Sequence, residues 1–205
     1  KVIYNGVRLE RFRYEYDPQE SRALLGIKTN FVVVMVATFS RFKNYDLFLD
    51  VAKRINQIRN DITFLAVGGG PNWDRINGRV IHENINNVIL TGRRSDVESI
   101  IAASDIGLLC TYSEGISNSI IEYMAMGKPV IVTDLKGGSR ELVINDETGF
   151  CVPEDESEIV KLINLLIENQ TLCETMGNNG KKKIESLFSI ERMGKEFVEL
   201  YNSHL

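Results

Sequence analysis

The sequence predicts an α/β domain built on a doubly wound, open parallel sheet, and three observations predict it. Short β-branched runs alternate with segments of helical apolar spacing along most of the 205 residues. The apolar runs are continuous rather than alternating, as in strands covered on both faces. Polar and glycine-rich segments follow the strands, at the edge where such sheets take their ligands.

The elements follow in order. Residues 31–36, Phe-Val-Val-Val-Met-Val, read as the first strand. Apolar positions Leu47, Phe48, Val51, Ile55 and Ile58 give 45–58 a helical face. A second strand over 62–67 runs into Gly68-Gly69-Gly70-Pro71, and 72–84 reads as helix weakened by Gly78. A short strand at 88–90 closes at Thr91-Gly92. Residues 95–103 read as a helix capped by Ser95, with Glu98 three on. The strand 106–110 precedes a polar turn and a helix over 119–126, in which Ser119 and Glu122 match a capping box. Gly127-Lys128-Pro129 stops that helix before a strand at 130–132. A short helix at 140–144, an edge strand at 149–152 and helices at 156–168, 172–187 and 190–201 complete the chain. Strands joined by helices imply parallel βαβ units in a Rossmann-like sheet, and no repeat or flexible linker divides it.

Composition narrows the function. Apolar residues at 43% and charged residues at 25% suit a globular domain with a substantial core. A net charge of −4 argues against non-specific binding of nucleic acid. No run approaches the ~20 apolar residues of a membrane span. Cys110, Cys151 and Cys173 are far apart, and with His82 and His204 they form no zinc-binding spacing. Unpaired thiols fit a reducing cytosol. The chain opens on Lys1-Val2-Ile3 rather than Met and is read as an excised fragment.

The segment Glu114-Gly115-Ile116-Ser117-Asn118-Ser119-Ile120-Ile121-Glu122 carries the most chemistry. A helix N-terminus at the carboxyl edge of a parallel sheet favours a phosphate, through free N–H groups and the helix dipole. Carboxylates on either side of it are poor phosphate ligands but good acceptors for sugar hydroxyls. That combination points to a nucleotide sugar. The same residues also read as a self-capping helix and a solvated loop acid. Arg41 and Lys43, after the first strand, could bring positive charge to a diphosphate, or be a solvated basic loop. Gly68 and Gly69 would let a backbone approach a ligand. Gly92 and Arg93 could meet a base edge or form an ordinary turn. No Asp-x-Asp pair is present to hold a divalent ion, no nucleophile–His arrangement stands out, and no dinucleotide fingerprint follows the first strand.

The stretch 114–134, EGISNSIIEYMAMGKPVIVTD, resembles the Glu-x7-Glu signature of retaining glycosyltransferases of the GT-B fold, family 4. Val2-Ile3-Tyr4-Asn5-Gly6-Val7 resembles that family's interdomain link, Gly68-Gly69-Gly70-Pro71 its V-G-x-G-P turn, and Gly137-Gly138-Ser139-Arg140-Glu141 with Glu147-Thr148-Gly149 its later pair of motifs. The resemblance covers essentially the whole chain. It implies the C-terminal, donor-binding half of a GT-B fold: 1–12 as the remnant of the link, 13–187 as the nucleotide-sugar domain, and 188–205 as a helix crossing back to an absent N-terminal acceptor domain. It assigns catalytic roles to Glu114, facing the donor sugar, and Lys43, facing the leaving diphosphate. Glu122 would bind the ribose. Gly115, Ile116, Ser117, Asn118 and Ser119 would contact sugar and diphosphate, and Gly92-Arg93 the base. The donor would be a UDP- or GDP-linked sugar, with no cofactor and no metal. The full-length enzyme would be a hexosyltransferase of bacterial surface-polysaccharide synthesis in the cytoplasm, with peripheral membrane association at the inner face left open. This fragment alone is expected to be inactive. Two departures stand out: the family's usual Arg five positions before the Lys is Thr38 here, with Arg41 as a substitute, and G-F-G-x-P is replaced by Gly115-Ile116-Ser117-Asn118-Ser119. The rival readings are a non-catalytic nucleotide-sugar module and a GT-B-like nucleotide-sugar epimerase, with a nicotinamide dehydrogenase more distant.

Overall fold

The computed structural model describes residues 2–133 and 136–203; Lys1, Asp134, Leu135, His204 and Leu205 lie outside them, and so do the expectations placed on Asp134 and His204. Six strands form one all-parallel sheet: β1 (Phe31–Val36), β2 (Ile62–Val67), β3 (Val88–Gly92), β4 (Ile106–Leu109), β5 (Val130–Val132) and β6 (Gly149–Cys151). Their spatial order is β3-β2-β1-β4-β5-β6. The chain winds outward one way from β1, then returns to build the other half from β4, so the switch point lies between β1 and β4.

The helices are α1 (Pro18–Leu24), α2 (Tyr45–Ile58), α3 (Trp73–His82), α4 (Val97–Ala102), α5 (Asn118–Ala125), α6 (Ser139–Leu142), α7 (Glu156–Glu168), α8 (Gln170–Leu187) and α9 (Ile190–Asn202). They enclose a continuous core in which the β1 residues Val32, Val33, Val34 and Met35 are wholly buried. Cys110 and Cys151 are buried thiols, as the apolar context of Cys110 suggests, and Cys173 is half-buried.

Several local expectations change. Helix α1 was not anticipated, although Asp17 caps it by accepting from the Gln19 and Glu20 amides, with Pro18 in the first turn. Helix α4 begins after Asp96 rather than Ser95, and Glu98 turns away from any capping box to pair with Arg11. Helix α5 begins at Asn118 with Ser117 as its N-cap, one residue before the expected start. The Ser119 hydroxyl does not cap it but donates to the Val36 carbonyl at 2.5 Å.

The leading segment is woven into the fold. The Val7 amide donates to the Phe188 carbonyl at 2.8 Å, and the Ile190 amide donates to the Val7 carbonyl at 3.2 Å. Leu9 and Phe12, in a 3₁₀ turn (Leu9–Phe12), are buried. Helix α9 contains no buried residue, and Phe197, Val198 and Tyr201 are exposed along it. Among the described residues no helix is long and apolar enough to cross a membrane.

Candidate functional site

The switch point opens because β1 and β4 part after Val34 and Gly107, although each runs on beside its other neighbour. β1 and β4 are in register at Val33–Ile106 and Val34–Gly107, while β1 continues to Val36 beside β2. The groups Val36 would have shared with β4 are taken by α5. Ser119 donates to its carbonyl, and its amide donates to Tyr123 Oη at 2.6 Å. The Tyr123 ring fits beneath because residue 107 is glycine; a Cβ there would stand 2.3 Å from the ring. α5 is thus fixed with its N-terminus at the carboxyl edge of the sheet. Ser117 makes no side-chain cap bond, so it leaves the amide donors of the first turn available from its side.

A hollow of about 440 Å³ lies there, lined by residues including Thr38, Gly68, Gly69, Arg93, Arg94, Val97, Asn118, Ser119 and Glu122. Gly68 reaches it at φ +146°, with its backbone so close to the Ala37 carbonyl that a Cβ would overlap it. The Arg93 side chain lies over Gly69. Glu122, in the second turn of α5, is half-buried, and that burial pushes its carboxyl above the usual carboxylate range. One wall can therefore accept hydroxyl hydrogen bonds, while Arg93 and the α5 N-terminus favour an anion.

Lys43 and Glu114 do not line this hollow. Lys43 Nζ forms an ion pair with Glu114 Oε2, both side chains being largely covered, at 14% and 21% exposure. The pair is held by its surroundings. Lys43 bridges Thr111 across the loop, and the next residue, Asn44, caps α2 through Leu47 while its amide side chain donates to Glu154 Oε2 at 2.7 Å. The Glu114 carbonyl accepts from the Gly138 amide at 2.9 Å, which joins the Glu-x7-Glu turn to the double-glycine turn. Arg41 is exposed, with its guanidinium 5.0 Å from the centre of the Phe42 ring, and is not part of the hollow's lining.

The other expected positions divide likewise. Gly92 takes φ +73° and accepts from the Gly68 amide at 2.9 Å, so it shapes the hollow's edge without lining it. Gly115 is exposed, Ile116 packs on the core and Ser117 is buried as the cap. Sequence reasoning missed Val97, which no motif marks, and Tyr123, whose apolar context reads only as core; Arg94 ends the polar loop 91–94 expected at this edge and does line the hollow. Thr38, noted as a departure, does line the hollow. Among the described residues no group of three or more His, Cys, Asp or Glu side chains is placed to hold a metal ion.

The glycosyl transferases group 1 family matches residues 17–183, most of the chain. The chain belongs to the glycosyl transferases group 1 family. This group 1 domain is 29% identical over 205 residues to the capsular polysaccharide biosynthesis glycosyltransferase CapM of Staphylococcus aureus, covering 98% of this chain and 53% of that protein. It is 31% identical over 208 residues to the UDP-Gal:alpha-D-GlcNAc-diphosphoundecaprenol alpha-1,3-galactosyltransferase of Escherichia coli, with the same two coverages of 98% and 53%. The crystal structure of Anabaena HepE in complex with UDP and glucose matches with a TM-score of 0.90 at 26% identity, over 99% of this chain and 56% of that one. The group 1 domain thus spans about half the length of the curated relatives it matches. It shares its α/β architecture, built here on a six-strand parallel sheet, with the HepE structure.

Proposed function

We propose that this group 1 domain binds the nucleoside diphosphate sugar donor of a family 4, retaining hexosyltransferase that works in surface-polysaccharide synthesis. The observation that carries the reading is the hollow at the switch point, where Glu122, the α5 N-terminus and Arg93 meet. Glu122 accepts hydrogen bonds from the ribose hydroxyls, and the amides of Asn118 and Ser119 meet the diphosphate. Arg93 and the Gly68-Gly69 backbone flank the base. The proposed base is uracil: HepE is described in complex with UDP and the Escherichia coli relative uses UDP-Gal by name.

Lys43 and Glu114 form the reacting end. As the bond between the anomeric carbon and the diphosphate oxygen breaks, Lys43 offsets the charge gathering on that oxygen. The acceptor hydroxyl bonds to the same face of the sugar, and its proton passes to the diphosphate oxygen. Glu114 orients the donor sugar and, through its ion pair, the Lys43 ammonium. No metal is assigned to the diphosphate. The acceptor is held by the other half of the full-length protein, so the fragment alone is expected to bind donor and transfer nothing.

Titration calorimetry with UDP, GDP and ADP tests the reading. UDP is expected to bind tightest, and UDP to bind better than its 2′-deoxy counterpart. Glu122→Ala should abolish the ribose preference, and Lys43→Ala should weaken UDP roughly tenfold or more, the loss of one charge-assisted phosphate contact. Equal binding of ribose and deoxyribose forms by the parent domain would remove Glu122 from its role. An unchanged UDP affinity in Lys43→Ala would remove Lys43 from its own.

A further inference from the structure

A charge from the leading segment pairs with the residue that follows one of the hollow's lining positions. Burial of Leu9 and Phe12 fixes the 3₁₀ turn, which packs on α5 and gives Arg11 a set position. Arg11 Nε donates to Glu98 Oε1 at 2.7 Å, and the Arg11 carbonyl accepts from Tyr16 Oη at 2.9 Å. Glu98 is in the first turn of α4, only 8% exposed, and directly follows Val97, which lines the hollow. A carboxylate so covered requires a partner, and its partner comes from 87 residues away in the chain. α4 packs on α5, the helix that carries Glu122.

We propose that Arg11 is a positioning residue of the donor site, which neutralises Glu98 so that the Glu122 carboxylate faces the ribose beside a compensated ion pair instead of a bare acid. This rests on the donor-binding reading of the hollow. The charges act in opposite senses on Glu122: burial pushes its carboxyl up, Arg11 draws it down, and Glu98 pushes it up again. Other ionisable groups lie on the elements packed against α5: Glu10 on the 3₁₀ turn and Glu174, Lys182 and Glu185 on α8 are exposed, and Cys173 and Lys181 on α8 are half-buried. Tyr123 lies on α5 itself and is wholly buried. Arg93 and Arg94 line the hollow, and Arg94 is engaged by Asp96. α6 brings Arg140 and Glu141, and α8 brings Lys183, which donates to the Glu141 carbonyl. β4 and β5 consist of apolar residues and glycine. Only the ionised form of Glu122 makes charge-assisted bonds to both ribose hydroxyls, so Arg11 acts on donor affinity from outside the hollow's lining.

Carbon-13 titration of the Glu122 carboxyl, without nucleotide, reads the coupling directly. Arg11→Met is expected to raise its midpoint and Glu98→Gln to lower it. The double variant should return towards the parent, and Arg11→Lys should stay near it. UDP titrations then carry the effect to binding. Relative to the parent, Arg11→Met should lose affinity more at pH 5 than at pH 8, about tenfold per unit of midpoint shift once the pH is below both midpoints. The ionisation of UDP itself is common to all variants and cancels. Midpoints that stay in place in both single variants overturn the proposal, whether or not UDP binds. If Arg11→Met does not fold, a Glu98→Gln midpoint that fails to fall overturns it equally. Midpoints that move as stated in a domain that binds no UDP instead overturn the donor reading, and leave only the electrostatic coupling.

Discussion

Val36 ends β1 with both of its backbone polar groups turned towards the place β4 has left. Two side chains from α5 meet them, Ser119 at the carbonyl and Tyr123 at the amide. Tyr123→Phe keeps the ring over Gly107 and removes only the acceptor, so the part-buried Val36 amide loses its protein partner. That is expected to cost about 1–3 kcal/mol, seen as a lower urea midpoint at unchanged slope. A midpoint equal to the parent's would mean that water or a relaxed backbone serves the amide as well. This level was the least legible in the sequence. The residue types at 114–122 and at Lys43 are read as an anion site beside hydroxyl acceptors; Glu122, Asn118 and Ser119 line one hollow, and Lys43 does not. That Ser119 serves the sheet rather than its own helix depends on a tertiary neighbour, which no local spacing encodes. The ion pair between Lys43 and Glu114 is equally non-local, since 71 positions separate them.

Strand and helix identities could be read far more securely, because burial on both faces writes itself as continuous apolar runs and amphipathic helices keep their period. β1, β2 and β5 occupy the expected residues, and α2 and α7 likewise. What failed was the choice of cap among neighbouring candidates: Ser95 against Asp96, and Ser119 against Ser117. Both alternatives offer a short polar side chain, and the decision falls to how the preceding loop is packed. α1 escaped because its seven residues bury only Ser21, leaving almost no apolar period to detect. Its signal was the cap itself, Asp17 before Pro18. Asp17→Ala should therefore cost about 1 kcal/mol, with hydrogen exchange quickening in 18–24 before the sheet is affected. Uniform protection there in the variant would show that packing on α4, not the cap, holds α1.

Across the whole molecule, charge is organised away from the hollow as well as in it. Arg79 is the centre of a network joining α2 to α3: it pairs with Asp46, Asp50 and Glu83, Arg75 also holds Asp46, and Lys53 holds Glu83. Arg79 and Lys53 draw the Glu83 carboxyl down to about 2 from its ordinary 4.5. Arg75 holds Asp46 below its usual range, and Arg94 does the same for Asp96. Groups depressed in this way contribute stability that is complete above their unfolded values and is lost as pH falls through the folded ones. Stability should accordingly decline between about pH 4.5 and 2, the interval set by Glu83. Glu83→Gln should flatten that decline in denaturant titrations run across the interval, and an unaltered slope would assign it to other carboxylates. Sheet order was legible only as a class. Alternating elements say that the strands are parallel, yet the sequence of 3-2-1-4-5-6 depends on which way each crossover turns. The lacing of Val7 between Phe188 and Ile190 brings the chain's entry and the root of α9 to one anchor. Force applied to the segment before Val7 or to α9 therefore loads the same two backbone hydrogen bonds first.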